Sequence, residues 1–190
     1  DPWNFDEESS LVLKKFTDLK LSLMPYIYAL AIEAHETATP VQRALLLEFP
    51  RDVVASQVDN AFMLGDKFLV VPVTNAEGDV NYYVPKGEWY GYLDGVVRSS
   101  HGEYFEEVHD FKSLPLLVRP NSAFVSTGLD SANDVPDFDY AEDVLVNLYA
   151  LDDGAHEVQI PNIEKLGEFA GSVKITRKGN SDIVDAPIAK

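Results

Sequence analysis

Three groups of side chains have the types and spacing to do chemistry. Asp137, Asp139, Glu142 and Asp143 crowd carboxylates into one short stretch, and clustered hard oxygens are what calcium binds. The spacing is not the D-x-[DN]-x-[DN]-G of an EF-hand loop, and Asp152-Asp153-Gly154 supplies only a fragment of one. A solvated acidic linker without metal is expected there. Glu106, Glu107, His109 and Asp110 set carboxylates beside an imidazole, an acid–base combination. On a strand, Glu107 and His109 share one face, while Glu106, Val108 and Asp110 take the other. Sequence neighbours are then not expected to cooperate, and a surface strand or loop is the reading. Tyr82, Tyr83, Trp89, Tyr90 and Tyr92 offer flat faces for sugar rings, although alternating aromatics in strands more often make cross-strand pairs and core.

The remaining chemistry is mostly excluded. The sequence has no cysteine, which removes disulfides, thiolate catalysis, iron–sulfur clusters and Cys-based zinc. No G-x-S-x-G and no glycine-rich phosphate loop occurs. His35, between Glu33 and Glu36 at the end of a helical stretch, reads as a cation complementing the helix dipole. With 15 Lys and Arg against 32 Asp and Glu, the 190-residue chain carries a net charge of −17. Such a surface repels phosphate backbones and anionic lipid, so neither nucleic acid nor a membrane is an expected partner. The longest apolar stretch, Leu21 to Ile32, is broken by Ser22 and Pro25 and is too short to span a bilayer. No signal-peptide pattern is present, and a cytoplasmic location is expected. From the residues alone, no active site emerges.

The elements that would position these groups divide by hydrophobic period. Residues 9 to 37 repeat apolar positions every three or four residues (Leu13, Phe16, Leu23, Ile27 and Leu30 among them), which predicts helix. Ser9 or Ser10 is the expected cap. Pro25 either kinks one helix or opens a second. From Thr39-Pro40 onward the period falls to two. Strands are predicted at 44–49, 67–74, 80–84, 88–93, 114–118 and 123–126. A hairpin turn is expected at Glu77-Gly78-Asp79. After an acidic, turn-rich linker, further strands are predicted at 144–150, 156–160, 171–177 and 182–184.

Several motifs stand in a recognisable order. Pro2-Trp3 and Asp6-Glu7-Glu8 lead to the run from Phe16 to Tyr28. Next come Thr39-Pro40-Val41, Arg43 to Pro50, Phe62-Met63-Leu64-Gly65-Asp66, Val71-Pro72-Val73, Tyr83 to Trp89 and Leu114 to Asn121. Together they resemble the C-terminal region of glycoside hydrolase family 31. Met63 to Asp66 and Ala76 to Val80 look most like the bacterial α-xylosidases of that family. The resemblance implies a mainly β fold: an antiparallel β-sandwich (the proximal C-terminal domain) plus the start of a second β-sandwich, preceded by the last helical segment of a (β/α)8 barrel. The implied boundaries are 1–42 for the helical end of the barrel, 43–128 for the proximal domain, and 129–190 for the linker and a partial distal domain.

The family is retaining, with one Asp attacking the anomeric carbon and a second acting as acid and then base. Both precede Asp1 in the family, so the resemblance assigns this chain no catalytic, cofactor-binding or metal residue. Asp6, Asp18 and Asp66 fall on motif positions and are expected to cap or to hydrogen-bond structurally. The implied function is the C-terminal part of a hydrolase of terminal α-xylosyl or α-glucosyl residues, needing no cofactor and inactive alone. Its substrate would be an α-xyloside or α-glucoside bound by the barrel. The alternative is an autonomous carbohydrate-binding module, with sugar at Trp89 or Tyr92, or a structural interaction module. The Phe16–Leu23–Ile27 stripe is expected to be exposed and to drive self-association when the barrel is absent.

Overall fold

The computed structural model describes residues 4–128 and 144–186. The chain is mainly β, and its sheets are antiparallel. It separates into two compact units, one of Asp1–Thr39 with Ala123–Lys190 and one of Pro40–Ser122.

In the first unit the helical stretch is two helices, α1 (Glu7–Ser22) and α2 (Met24–Thr37). The cap of α1 is Asp6 instead of Ser9 or Ser10: its carboxylate accepts from Ser9 N at 2.6 Å. Glu7 and Glu8 then fill the first turn, where the dipole favours negative charge. Leu23 joins the helices, and Pro25 occupies the first turn of α2, where its missing N–H costs nothing. Leu23, Tyr26, Leu30 and Ile32 are buried. Leu23 thus leaves the expected exposed stripe, with Phe16 and Ile27 half-buried; on α1 it is Leu11 and Leu13 that face solvent.

The strands of this unit are β9 (Ser122–Thr127), counted here from Ala123, then β10 (Val144–Tyr149), β11 (Gly154–Pro161), β12 (Phe169–Lys178) and β13 (Ser181–Asp185). β9 pairs with β10, and β11, β12 and β13 form a three-stranded sheet against which α2 packs through β11. Period-two alternation turns Val158, Ile160, Val173 and Ile175 inward, with Val158 opposite Val173. Phe124 stacks on Tyr149 with centroids 5.9 Å apart, and Tyr26 tilts against Phe124 at 5.6 Å.

The second unit contains β1 (Gln42–Arg43), α3 (Leu45–Glu48), a 3-10 turn at Ala55–Gln57, β2 (Phe62–Leu64), β3 (Phe68–Val70), β4 (Asp79–Val84), β5 (Gly87–Gly91), β6 (Val97–Ser100), β7 (Glu103–Val108) and β8 (Leu116–Val118). One sheet runs β1-β2-β3-β8-β5-β6, and β4 pairs with β7 in a second sheet. Their inward faces form the core around Leu45, Met63, Leu69, Tyr82, Trp89 and Leu117.

Two expectations fail here. The predicted strand at 44–49 is the short helix α3. Of its three leucines only Leu45 is buried, while Leu46 and Leu47 face solvent, a burial pattern that alternation cannot produce. Glu77-Gly78-Asp79 is not a hairpin turn, because β4 pairs with the distant β7 and not with β3. Gly78 instead has φ +80° and accepts from His109 N at 2.9 Å. A Cβ there would lie 1.9 Å from His109 O, so glycine is required by close approach of two backbones. Gly78→Ala is expected to destabilise the unit by about 1–3 kcal/mol through overpacking and strain. Urea denaturation checks this, and an unchanged midpoint would refute it.

Candidate functional site

The motif residues of the second unit converge on one carboxylate. Arg43 is 4% exposed; its Nη1 donates to Glu48 Oε1 at 2.8 Å and its Nε to Pro40 O at 2.8 Å. Arg119, just beyond β8, donates from Nη1 to Glu48 Oε2 at 3.0 Å and to Asp66 O at 3.3 Å. Its guanidinium lies 4.7 Å over the Phe49 ring. Phe49 in turn tilts against Trp89 with centroids 6.0 Å apart, and Trp89 Nε1 donates to Pro85 O at 2.8 Å. A carboxylate held on both oxygens by guanidinium groups is not a free nucleophile. This centre is structural.

A second polar centre surrounds Arg98, which is 7% exposed. It grips Glu107 bidentately through Nε at 2.8 Å and Nη2 at 3.0 Å. It also binds Asp94 through Nη2 at 2.8 Å and Nη1 at 3.1 Å. Glu107 Oε2 lies 3.0 Å from His109 Nε2, His109 Nδ1 lies 3.1 Å from Ser113 Oγ, and Ser113 Oγ donates to Asp110 Oδ1 at 2.9 Å. Sequence reasoning correctly put Glu107 and His109 on one face. Its expectation that neighbours do not cooperate fails, because the chain turns back after β7 and brings Ser113 round to the imidazole. Arg98 itself was missed; its spacing of four from Asp94 was the available signal.

The electrostatics fix the charge state of this centre. Burial opposes ionisation of Glu107, but the hydrogen bonds from Arg98 and then His109 hold its carboxyl below the usual range. Asp94 is lowered chiefly by its hydrogen bonds from Arg98. Burial also opposes the charge on Arg98, which Glu107 and Asp94 nonetheless raise. Tyr82 Oη is buried beside Glu107 and Arg98 without a well-aligned hydrogen bond, and burial, then the Glu107 charge, pushes its phenol up. Neither Glu107 nor Tyr82 is poised to exchange a proton near neutral pH, as a general acid or base must be.

The other candidates separate. Tyr82, Tyr83 and Trp89 are buried, with Trp89 only 1% exposed. Trp89 therefore cannot serve as a sugar platform; its indole is core. Tyr92 meets Phe68 edge to face at 5.2 Å. Tyr83 Oη donates to Asp52 Oδ2 at 2.7 Å, and burial followed by that bond pushes the phenol up to about 12. Asp18 pairs with Lys14 at 2.6 Å and Asp66 with Lys67 at 2.8 Å. His35 is exposed in the last turn of α2. Asp137, Asp139, Glu142 and Asp143 lie outside the described residues. Among the described residues, no three His, Asp or Glu side chains are grouped to hold a metal.

The motif residues of the β-rich second unit are thus spent on ion pairs and core contacts. Residues 38–124 match the Glycosyl hydrolase family 31 C-terminal domain, and it is through this stretch that the chain is related to that family. It is 38% identical over 193 residues to the α-xylosidase XylQ of Lactiplantibacillus pentosus, covering 97% of this chain and 24% of that protein. An α-xylosidase of Emericella nidulans is 36% identical over 128 residues, 64% of this chain and 16% of its own length. The chain thus spans a quarter or less of these relatives. The cycloalternan-forming enzyme of Listeria monocytogenes superposes with TM-score 0.79 at 24% identity, over 94% of this chain and 17% of that one. At that identity the likeness shows the fold.

Glu48→Gln leaves the buried Arg43 without its counter-charge and is expected to cost about 3 kcal/mol or more, read by chemical denaturation; a cost below 1 kcal/mol would contradict the clamp. A carboxyl lowered in the fold stabilises it above the ordinary value and loses that contribution as pH falls through the folded one. The ordinary value for Glu107 is 4.5, so stability is expected to fall as pH drops below it. Melting curves across that range are expected to show a shallower acid dependence in Glu107→Gln, from a less stable start at pH 7.

Proposed function

We propose that this chain is the C-terminal part of a retaining α-glycoside hydrolase that removes terminal α-xylosyl residues, with α-glucosyl residues as the second substrate class. The observation that carries the reading is the 38% identity to an α-xylosidase along 97% of the chain. Support for the second class comes from homology to the family's α-glucosidases. The role of this part is to scaffold the catalytic barrel. Retaining hydrolysis needs two carboxyl groups about 5–5.5 Å apart on either side of the glycosidic bond. Glu48, Glu107 and Asp94 are all bound to arginine, which argues for inactivity of the chain alone. A cytoplasmic site of action belongs to the same proposal.

The test uses the longer native protein and the 190-residue chain side by side on p-nitrophenyl α-xyloside and α-glucoside. The longer protein is expected to hydrolyse the xyloside faster, and the chain is expected to release no nitrophenol above background. Turnover by the chain alone would overturn the scaffold role. Preference of the longer protein for the glucoside would reverse the substrate order.

A further inference from the structure

A groove of about 900 Å³ opens on the second unit, with Arg43 of the first arginine centre in its lining. Its floor is apolar, formed by Val58, Ala61, Val71 and Val80. Its walls carry planar polar side chains: Gln42, Asp59, Asn60, Asn75, Asp79 and Asn81. Two of these are fixed in place before any ligand arrives. Asn60 Nδ2 donates to Asn81 O at 2.8 Å. Asn75 donates to Asp79 O at 2.6 Å and accepts from Asp79 N at 3.0 Å. An amide has two N–H donors, so each of these asparagines keeps one for a ligand. The groove's cation, Arg43, is bound to Glu48 and Pro40.

We infer that this groove is a second, non-catalytic binding site for a neutral oligosaccharide. Each sugar hydroxyl both donates and accepts, and the walls offer both: carboxylates of Asp59 and Asp79 to accept, spare amide N–H groups to donate. The C–H faces of the pyranose ring fit the apolar floor. Two carboxylates beside a cation already engaged disfavour phosphorylated or uronic ligands. The volume lies within the range of small-molecule sites, and fixed polar groups lower the ordering cost of binding. The choice of a sugar over other neutral polyols rests on the family reading above; the groove's geometry does not.

The test is affinity electrophoresis of the native protein carrying these residues, through gels containing dextran or xyloglucan. Asp59→Ala and Asn81→Ala are run singly and together, with Lys86→Ala, a lysine not lining this groove, as the control. Both polysaccharides are expected to retard the native protein and the control. The groove variants are expected to bind at least fivefold more weakly while melting within 2 °C of native. Absence of retardation in the native protein, equal retardation of the variants, or a weakening that appears only with a lower melting temperature would overturn the proposal. If the variants lose retardation while the native protein hydrolyses no α-glycoside, the groove stands and the activity reading falls.

Discussion

The second unit depends on a single half-buried carboxylate. Glu48 ends a one-turn helix, yet its two oxygens hold Arg43 on β1 and Arg119 after β8. Removing the Arg43 guanidinium from water is costly, and the cost is met only when a carboxylate satisfies it with good geometry. That requirement dictates much around it. β1 must end where Arg43 can reach, α3 must turn once so that Glu48 faces inward, and the β2–β3 turn must bring Asp66 O to Arg119. Phe49 then contacts both Arg119, over its ring, and Trp89, tilted against it. Trp89, Tyr82 and Leu117 fill the space behind.

The Arg98 centre does comparable work at the other sheet. β4 and β7 form a two-stranded ladder, and such a ribbon is marginal unless packed or tied. Arg98, on β6 of the larger sheet, reaches Glu107 on β7, tying the ribbon to its neighbour by a bidentate charged contact. His109 and Ser113 extend that contact into the segment leading to β8. What looks in sequence like an acid–base set is therefore a rivet between layers.

The sequence made periodic features legible and missed those set by distant partners. A second helix opening with Pro25 in its first turn, the strands β4, β8 and β9, and the later strands β10 to β13 followed from apolar spacing and from Pro and Gly punctuation. α3 was misread because its three consecutive leucines satisfy a strand window, whereas one helical turn is what carries Glu48 to Arg43. The pairing of β4 with β7 was invisible for a related reason. Gly78 signals a tight backbone, but not which backbone approaches it, and His109 lies far along the chain. Cores are local enough in pattern to be read, whereas ion-pair partners such as Arg119 are chosen by topology.

The clamp also has a consequence for inheritance. Glu48 and Arg119 are 71 residues apart in sequence, and the core strands β2 to β8 lie between them. A recombination junction anywhere inside that interval separates the two halves of one charge pair and one core, whereas a junction outside it moves both together. Exchange between relatives with differently placed arginines would strand a buried charge at one end. The stretch from Arg43 to Arg119 is thus a block that shuffling of domains must take whole, with its natural seams in the segments on either side.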